Sequence, residues 1–199
     1  QLSILGANVQ LISVFGNDSD GDWLKQSCSA AGVKIDASIT KEGISGRYSG
    51  VMNVDGSLYA AFLSNAAVEM VTPAHLEAHQ ALLLSAQYIM ADANTSIESM
   101  DWLLQFSKRT GIPFIIEPVS VPPASKLKDM DLDGLYLVTP NEDELPVICS
   151  EKSFLTQLQV EELLKRGVQN IWLHNGKQGS AFYNKDKAIT LHAPDIEVV

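Results

Sequence analysis

An α/β fold with a mostly parallel central sheet is what the sequence predicts, and three observations carry that expectation. Short apolar runs alternate with helical patterns along most of the chain. One pair of β-like runs, flanking Asp55–Gly56, breaks the alternation. Bursts of acids and amides follow directly after the apolar runs, where strands of such a sheet end.

The elements follow in order. "VQLISVFG" (9–16) reads as a buried strand that stops at Gly16–Asn17–Asp18, and "DGDWLKQSCSAAG" (20–32) as a helix that Gly32 ends. In "YSGVMNVDGSLYAAFL" (48–63) the Asp-Gly pair marks a tight hairpin turn. "PAHLEAHQALLLSA" (73–86) is expected to be one helix, with Thr72 as its cap and Pro73 in its first turn. Strands are then expected at 88–92, 113–118, 134–140 and 170–176. Helices at 96–111, 124–131 and 156–168 separate them, and "SAFYN" with "AITLHAP" forms a closing strand pair. Strands and helices at this spacing imply a parallel sheet with helices on both faces.

Composition narrows the function. The 199 residues are 46% hydrophobic and 19% charged, suited to one sizeable globular domain. A net charge of −10 supplies no cationic field for nucleic acid or an acidic membrane. An acidic protein still binds an anion such as ATP where backbone amides and a metal supply local positive potential. No apolar run reaches the roughly 18 residues of a membrane span. Cys28 and Cys149 have no CxxC spacing and read as reduced thiols of a cytoplasmic protein, with a single disulfide still open. The chain opens on "QLSILGANVQ" and closes on "HAPDIEVV", and both ends read as cuts through a larger fold.

In an open α/β sheet, ligands bind beyond the carboxyl ends of the strands. The residues there are Asn17–Asp18, Asp92 with Asn94, Glu117, Asn141 with Glu144, and His174–Asn175–Gly176. Such a set, rich in acids and amides, suits a metal–phosphate site more than a bare anion site. In "TPNEDEL" (139–145), Asn141 and Glu144 have the i, i+3 spacing of one helical turn. They either start a helix, with acids favoured by its dipole, or hold water on a metal, and one geometry can do both. In "HNGKQGSAFY" (174–183), Gly176 and Gly179 flank Lys177 in a turn that is either an ordinary hairpin or a nucleotide contact, and His174 has the same two readings. Glu117 closes Phe114–Ile115–Ile116 before a proline-stiffened loop, which explains the prolines but not the acid.

The order of elements, the inserted β-lid, "NVQLISVFGNDSDGDWL" (8–24), the Asn141-x-x-Glu144 motif and the Gly-x-x-Gly turn resemble the PfkB (ribokinase-like) family of small-molecule kinases over essentially the whole chain. "DANTS" and "EPVSVPPASKL" are similar to its pseudouridine kinase branch. The resemblance implies a three-layer sandwich, a single domain over 1–199 incomplete at both ends, and a lid at about 44–65. It implies a kinase that transfers the γ-phosphoryl group of ATP to a sugar or nucleoside hydroxyl, with Mg²⁺ and, in some members, a monovalent cation. By resemblance Asn141, Glu144 and Glu117 serve metal and phosphate, His174, Gly176, Lys177 and Gly179 border the nucleotide, and Asn94, Arg47 and Tyr48 face the substrate.

The chain also departs from the family pattern. A glycine pair and substrate aspartate would lie upstream. The Gly-Ala-Gly-Asp motif, whose aspartate is the family's catalytic base, would follow "PDIEVV", so the base is expected after Val199. No catalytic base is assignable up to that point. These 199 residues alone are therefore expected to be inactive, and a binding domain without turnover is the alternative. Where the family usually has Thr-Leu-Gly, this chain reads His174–Asn175–Gly176. No GxGxxG follows a strand, which disfavours a nicotinamide-dependent oxidoreductase. Apolar residues on both faces of the lid (Tyr48, Val51, Met52, Val54, Leu58, Tyr59, Phe62 and Leu63) point to a homodimer through it.

Overall fold

The structure is a computed structural model, and it describes residues 1–43, 45–56, 58–64, 66–150 and 155–194. The "PDIEVV" segment lies, from Asp195 to Val199, outside the described residues, as do Ile44, Ser57 and Asn65 of the lid region. The catalytic base expected after Val199 likewise lies outside the described residues. The chain divides into two compact units, residues 1–79 and 80–199.

In the first unit, β1 (Val14–Gly16) pairs in parallel with β2 (Ile39–Lys41), and a lone bridge joins Gln10 to Lys34. The strand expected over 9–16 is therefore regular only at its end. Helix α1 (Ser19–Ala30) starts where the Asp18 carboxylate accepts a 2.8 Å hydrogen bond from the Gly21 amide. The lid is a hairpin of β3 (Arg47–Met52) and β4 (Leu58–Ser64), antiparallel, with an irregularity after Val51. Gly56 turns it at φ 81°, as the Asp-Gly pair predicts.

The helix expected over 73–86 is broken. α2 (Pro73–Ala78), capped by the Thr72 hydroxyl, ends at His79, and the second unit opens with α3 (Gln80–Leu84). The cause is local. The Nδ1 of His79 takes the His75 carbonyl at 2.9 Å, while the His79 amide slips to Leu76 at 3.1 Å. The side chain thus competes for the acceptor that a continuing α-helix would use.

The second unit holds a six-stranded sheet in the order β10-β9-β8-β7-β6-β5. Its parallel part is β5 (Ile89–Asp92), β6 (Phe114–Glu117), β7 (Leu137–Val138) and β8 (Asn170–His174). β9 (Ser180–Asn184) and β10 (Ala188–Leu191) close it antiparallel. Between the parallel strands run α4 (Ile97–Thr110), α5 (Val121–Ala124) with a 3₁₀ turn over Ser125–Lys128, and then α6 (Leu145–Ile148) and α7 (Thr156–Lys165). Ser96 caps α4, and Gly111 ends it at φ 75° in the left-handed region. The short helix α5 begins three residues before its expected start at Ala124.

Alternation along the strands sets the core. Phe114, Ile116, Val138, Ile171 and Leu173 are buried with Met100, Leu104, Phe106 and Leu163. Each such side chain contributes about 1.5–3 kcal/mol of burial. Met90, Trp172, Ile189 and Leu191 are exposed. Strands β5 to β8 are therefore fixed by their apolar face, and their carboxyl ends line up at one edge.

Candidate functional site

The site is built where those strands end. β5 finishes at Asp92 and β6 at Glu117, and the two residues are register partners. β7 runs out through Thr139–Pro140 to Asn141, which forms a parallel bridge with His174 at the end of β8. The His174 amide donates to the Pro140 carbonyl at 2.9 Å. Glu117, Asn141, Glu144 and His174 thus sit on neighbouring strand ends, as the pattern of polar bursts predicts.

Asn141 and Glu144 lock each other. The Asn141 Oδ1 accepts from the amides of Asp143 and Glu144, each at 2.9 Å. The Glu144 Oε2 accepts in return from the Asn141 amide at 2.9 Å. This reciprocal bonding satisfies donors ahead of α6 that would otherwise be unpaired. The helix-start reading of the motif is therefore realised, and it leaves Glu144 only 2% exposed. Burial raises its carboxyl above the usual carboxylate range, and nearby Glu117 adds to the rise. The Asn141 amide and His174 act the other way.

Glu117 is held in turn. Its Oε2 accepts a short hydrogen bond from the Thr139 hydroxyl, and its Oε1 accepts from the Val119 amide at 3.3 Å. Val119 has φ 74°, a region that a β-branched residue enters only at a cost. The Ser120 amide bonds back to the Pro118 carbonyl at 2.9 Å, so Val119 is the centre of a three-residue turn of the strained, positive-φ kind. That turn is what stops β6 and keeps the acid beside Thr139.

Past β8, Gly176–Gln178 forms a 3₁₀ turn carrying the exposed Lys177. Gly176 (φ 51°) has open space where a Cβ would sit. Gly179 (φ 98°) has none, since a Cβ would collide with the Leu191 carbonyl oxygen. The exposed His174 ring lies over Trp172 with centroids 5.7 Å apart. Asn94 follows β5, and its amide donates to the Asp92 Oδ1 at 2.8 Å.

In the first unit, Arg47 is engaged by Asp20, with Nη2 to Oδ2 at 2.6 Å and Nε to the same oxygen at 3.1 Å. Tyr48 is 63% exposed on the lid. Asp18 anchors the lid's base. It accepts from the Ser45 amide at 3.0 Å and the Ser45 hydroxyl at 2.7 Å as well as from Gly21. Those bonds, the Ser45 hydroxyl first, hold its carboxyl down at about 2.

Thr139, Lys126 and Ser45 were not singled out by the sequence, although each fixes a candidate residue. Their partners lie 22 to 33 residues away in the chain. The only local signal was Thr139 standing two residues before Asn141, across Pro140. Cys28 and Cys149 are free thiols, and burial pushes the Cys149 thiol up to about 12. Among the described residues, no helix is long and apolar enough to cross a membrane, and no three acids, histidines or cysteines form a metal cage. Glu144 and Glu117, each with lone pairs beyond the bonds above, fit a cation that keeps its own water and leans on phosphate oxygens.

Fold and edge together define an α/β protein with a polar, acidic edge at its strand ends. The pfkB family carbohydrate kinase model matches residues 1–199, and the chain belongs to that family. It is 28% identical over 177 residues to the uncharacterized sugar kinase YeiI of Escherichia coli, covering 87% of this chain and 48% of that protein. It is 26% identical over 144 residues to the Escherichia coli pseudouridine kinase, covering 72% of this chain and 45% of that one. Among solved structures, a ribokinase II of Escherichia coli in complex with ATP and Mg²⁺ superposes with a TM-score of 0.79 at 18% identity, over 100% of this chain and 66% of its own. The chain therefore spans about half the length of these curated relatives, and the structural likeness carries the ribokinase-like fold.

Proposed function

We propose that the full-length protein is an ATP-dependent kinase that phosphorylates a hydroxyl of a sugar or nucleoside, with pseudouridine the favoured acceptor. The observation that carries this is the Asn141–Glu144 pair, locked ahead of α6 with a buried carboxylate beside Glu117. A carboxylate kept out of bulk water and short of positive partners favours a cation close by. Mg²⁺, when bound, supplies positive charge against the phosphates. Glu144 and Glu117 orient its water shell, and Asn141 keeps Glu144 in place. The Gly176–Gly179 turn with Lys177 and His174 borders the nucleotide, while Asn94 serves the acceptor. By resemblance, the base that takes the acceptor's proton is the aspartate of the family's Gly-Ala-Gly-Asp motif, which these 199 residues do not contain. Pseudouridine is favoured by the similarity to a pseudouridine kinase and by the "EPVSVPPASKL" stretch that follows β6.

We also propose a homodimer through the lid. Register places Tyr48, Gly50, Ala61 and Leu63 on one face of the hairpin and Val51, Ala60 and Phe62 on the other. Tyr48, Val51, Phe62 and Leu63 are all exposed. One face closing over a substrate leaves the second for a partner lid.

The test is an assay of the full-length protein with ATP against pseudouridine, ribose, adenosine and fructose phosphates. Phosphorylation of one acceptor, with pseudouridine the best, is the expected result. No transfer to any of them would refute the kinase assignment, and a better acceptor would displace pseudouridine.

A further inference from the structure

Lys126 lies in the 3₁₀ turn that follows α5, on the crossover from β6 to β7. Its Nζ reaches across to the turn after β5. There it donates to the Ala93 carbonyl at 3.0 Å and approaches those of Asn94 and Thr95 at 3.4 Å each. Three successive carbonyls thus converge on one ammonium. No carboxylate forms an ion pair with Lys126 among the described residues. Among the described residues the ammonium is solvated by backbone carbonyl dipoles, an arrangement that also suits a monovalent cation.

The position of that turn gives the contact its meaning. Asn94 stands in its middle, with its amide tied to Asp92 and its carbonyl among the three. Ala93 is fully buried, and its amide donates to the Glu117 carbonyl at 2.9 Å. Ser96 immediately caps α4. The turn is therefore pinned at both ends, while its middle is shaped by the ammonium.

We propose that Lys126 is a positioning residue for acceptor binding: its ammonium serves as a built-in cation that gathers the carbonyls of residues 93–95 and fixes where Asn94 is presented. The consequence for acceptor binding rests on the kinase reading above, whereas the ordering of the turn does not. Hydrogen bonds to a charged donor in this setting are worth enough to shift a local opening equilibrium about tenfold.

The experiment has two arms on full-length Lys126→Met, which keeps the length of the stem and removes the charge. In the first, amide hydrogen exchange over residues 93–97 should speed up about tenfold. Ammonium chloride should slow it again, and choline chloride at equal ionic strength should not. In the second, the KM for the best acceptor of the wild type should rise about tenfold, with the KM for ATP unchanged and ammonium again restoring it. Unchanged exchange would overturn the proposal, as would a loss that ammonium fails to reverse or that choline reverses equally. Equal rises in both KM values would also overturn it, since they report a general defect. If the wild type phosphorylates no acceptor, the kinase reading fails, and the exchange arm still decides the role of Lys126.

Discussion

Asn141 and Glu144 hold each other by opposed hydrogen bonds, side chain to amide in both directions, at 2.9 Å. Glutamine at position 144 can keep its oxygen on the Asn141 amide while losing the charge. Glu144→Gln in the full-length protein should therefore fold normally and lower kcat by about 10-fold or more, with a smaller change in acceptor KM. Normal turnover at ordinary Mg²⁺ would reduce Glu144 to a helix-start residue.

Two carboxyls give opposite pH dependences. Asp18 titrates at about 2 in the fold against an ordinary 3.8, so its stabilisation is complete above 3.8 and disappears as pH falls through about 2. Asp18→Asn should flatten the urea midpoint across that window, and a wild-type slope in the variant would contradict the assignment. Glu144 is raised above its ordinary 4.5, so the folded state binds its proton more readily. Its contribution is best below 4.5 and declines as pH rises towards the raised value. Without nucleotide or metal, Glu144→Gln should melt a few degrees higher than wild type at neutral pH.

Much of this arrangement is legible in the sequence, and the rest is not, for a physical reason. Ser96 and Gly111 bracket α4, and Asp55–Gly56 sets the hairpin, because caps and turns are written in adjacent residues. The polar edge could be read because strands of a parallel sheet end together. The break at His79 could not, since it depends on which acceptor a histidine ring takes. Thr139 on Glu117 and Ser45 on Asp18 are contacts between distant segments, and no local period records them. The regular part of β7 shrank to Leu137–Val138 because the flanking Tyr136 and Thr139 amides still bond to β6, at 3.1 and 3.3 Å, but outside a regular ladder.

Val119 offers a test of stored strain. The side chain is 44% exposed, so little burial is lost on truncation. A positive-φ turn centred on valine costs about 1–3 kcal/mol, more than the roughly 0.5–1 kcal/mol of extra chain entropy that glycine brings. Val119→Gly should raise Tm by a few degrees, and a fall would mean the turn is unstrained. Should Glu117 depend on that turn for its aim, the same variant will also turn over more slowly.

The lid gives a prediction about assembly. Phe62 is 67% exposed and Met52 57% in the isolated chain. Aspartate at either position places an unpaired charge in the proposed lid–lid contact. Sedimentation should then move from dimer to monomer while the circular dichroism of the α/β core is kept. A wild-type protein that sediments as a monomer would remove the basis for the contact.

Gly179 carries its history in the genetic code. Every amino acid one base away from a glycine codon has a Cβ, and here that atom would run into the Leu191 carbonyl and come within 2.7 Å of the Ala193 amide. No single nucleotide change that replaces this glycine leaves β9 and the chain after β10 where they are. Gly176, three residues earlier, has open space and a φ of 51° that asparagine tolerates. A saturation library selected for folded protein should therefore be empty at position 179 and retain asparagine at 176, so that lineages drift at one end of this turn and stand still at the other.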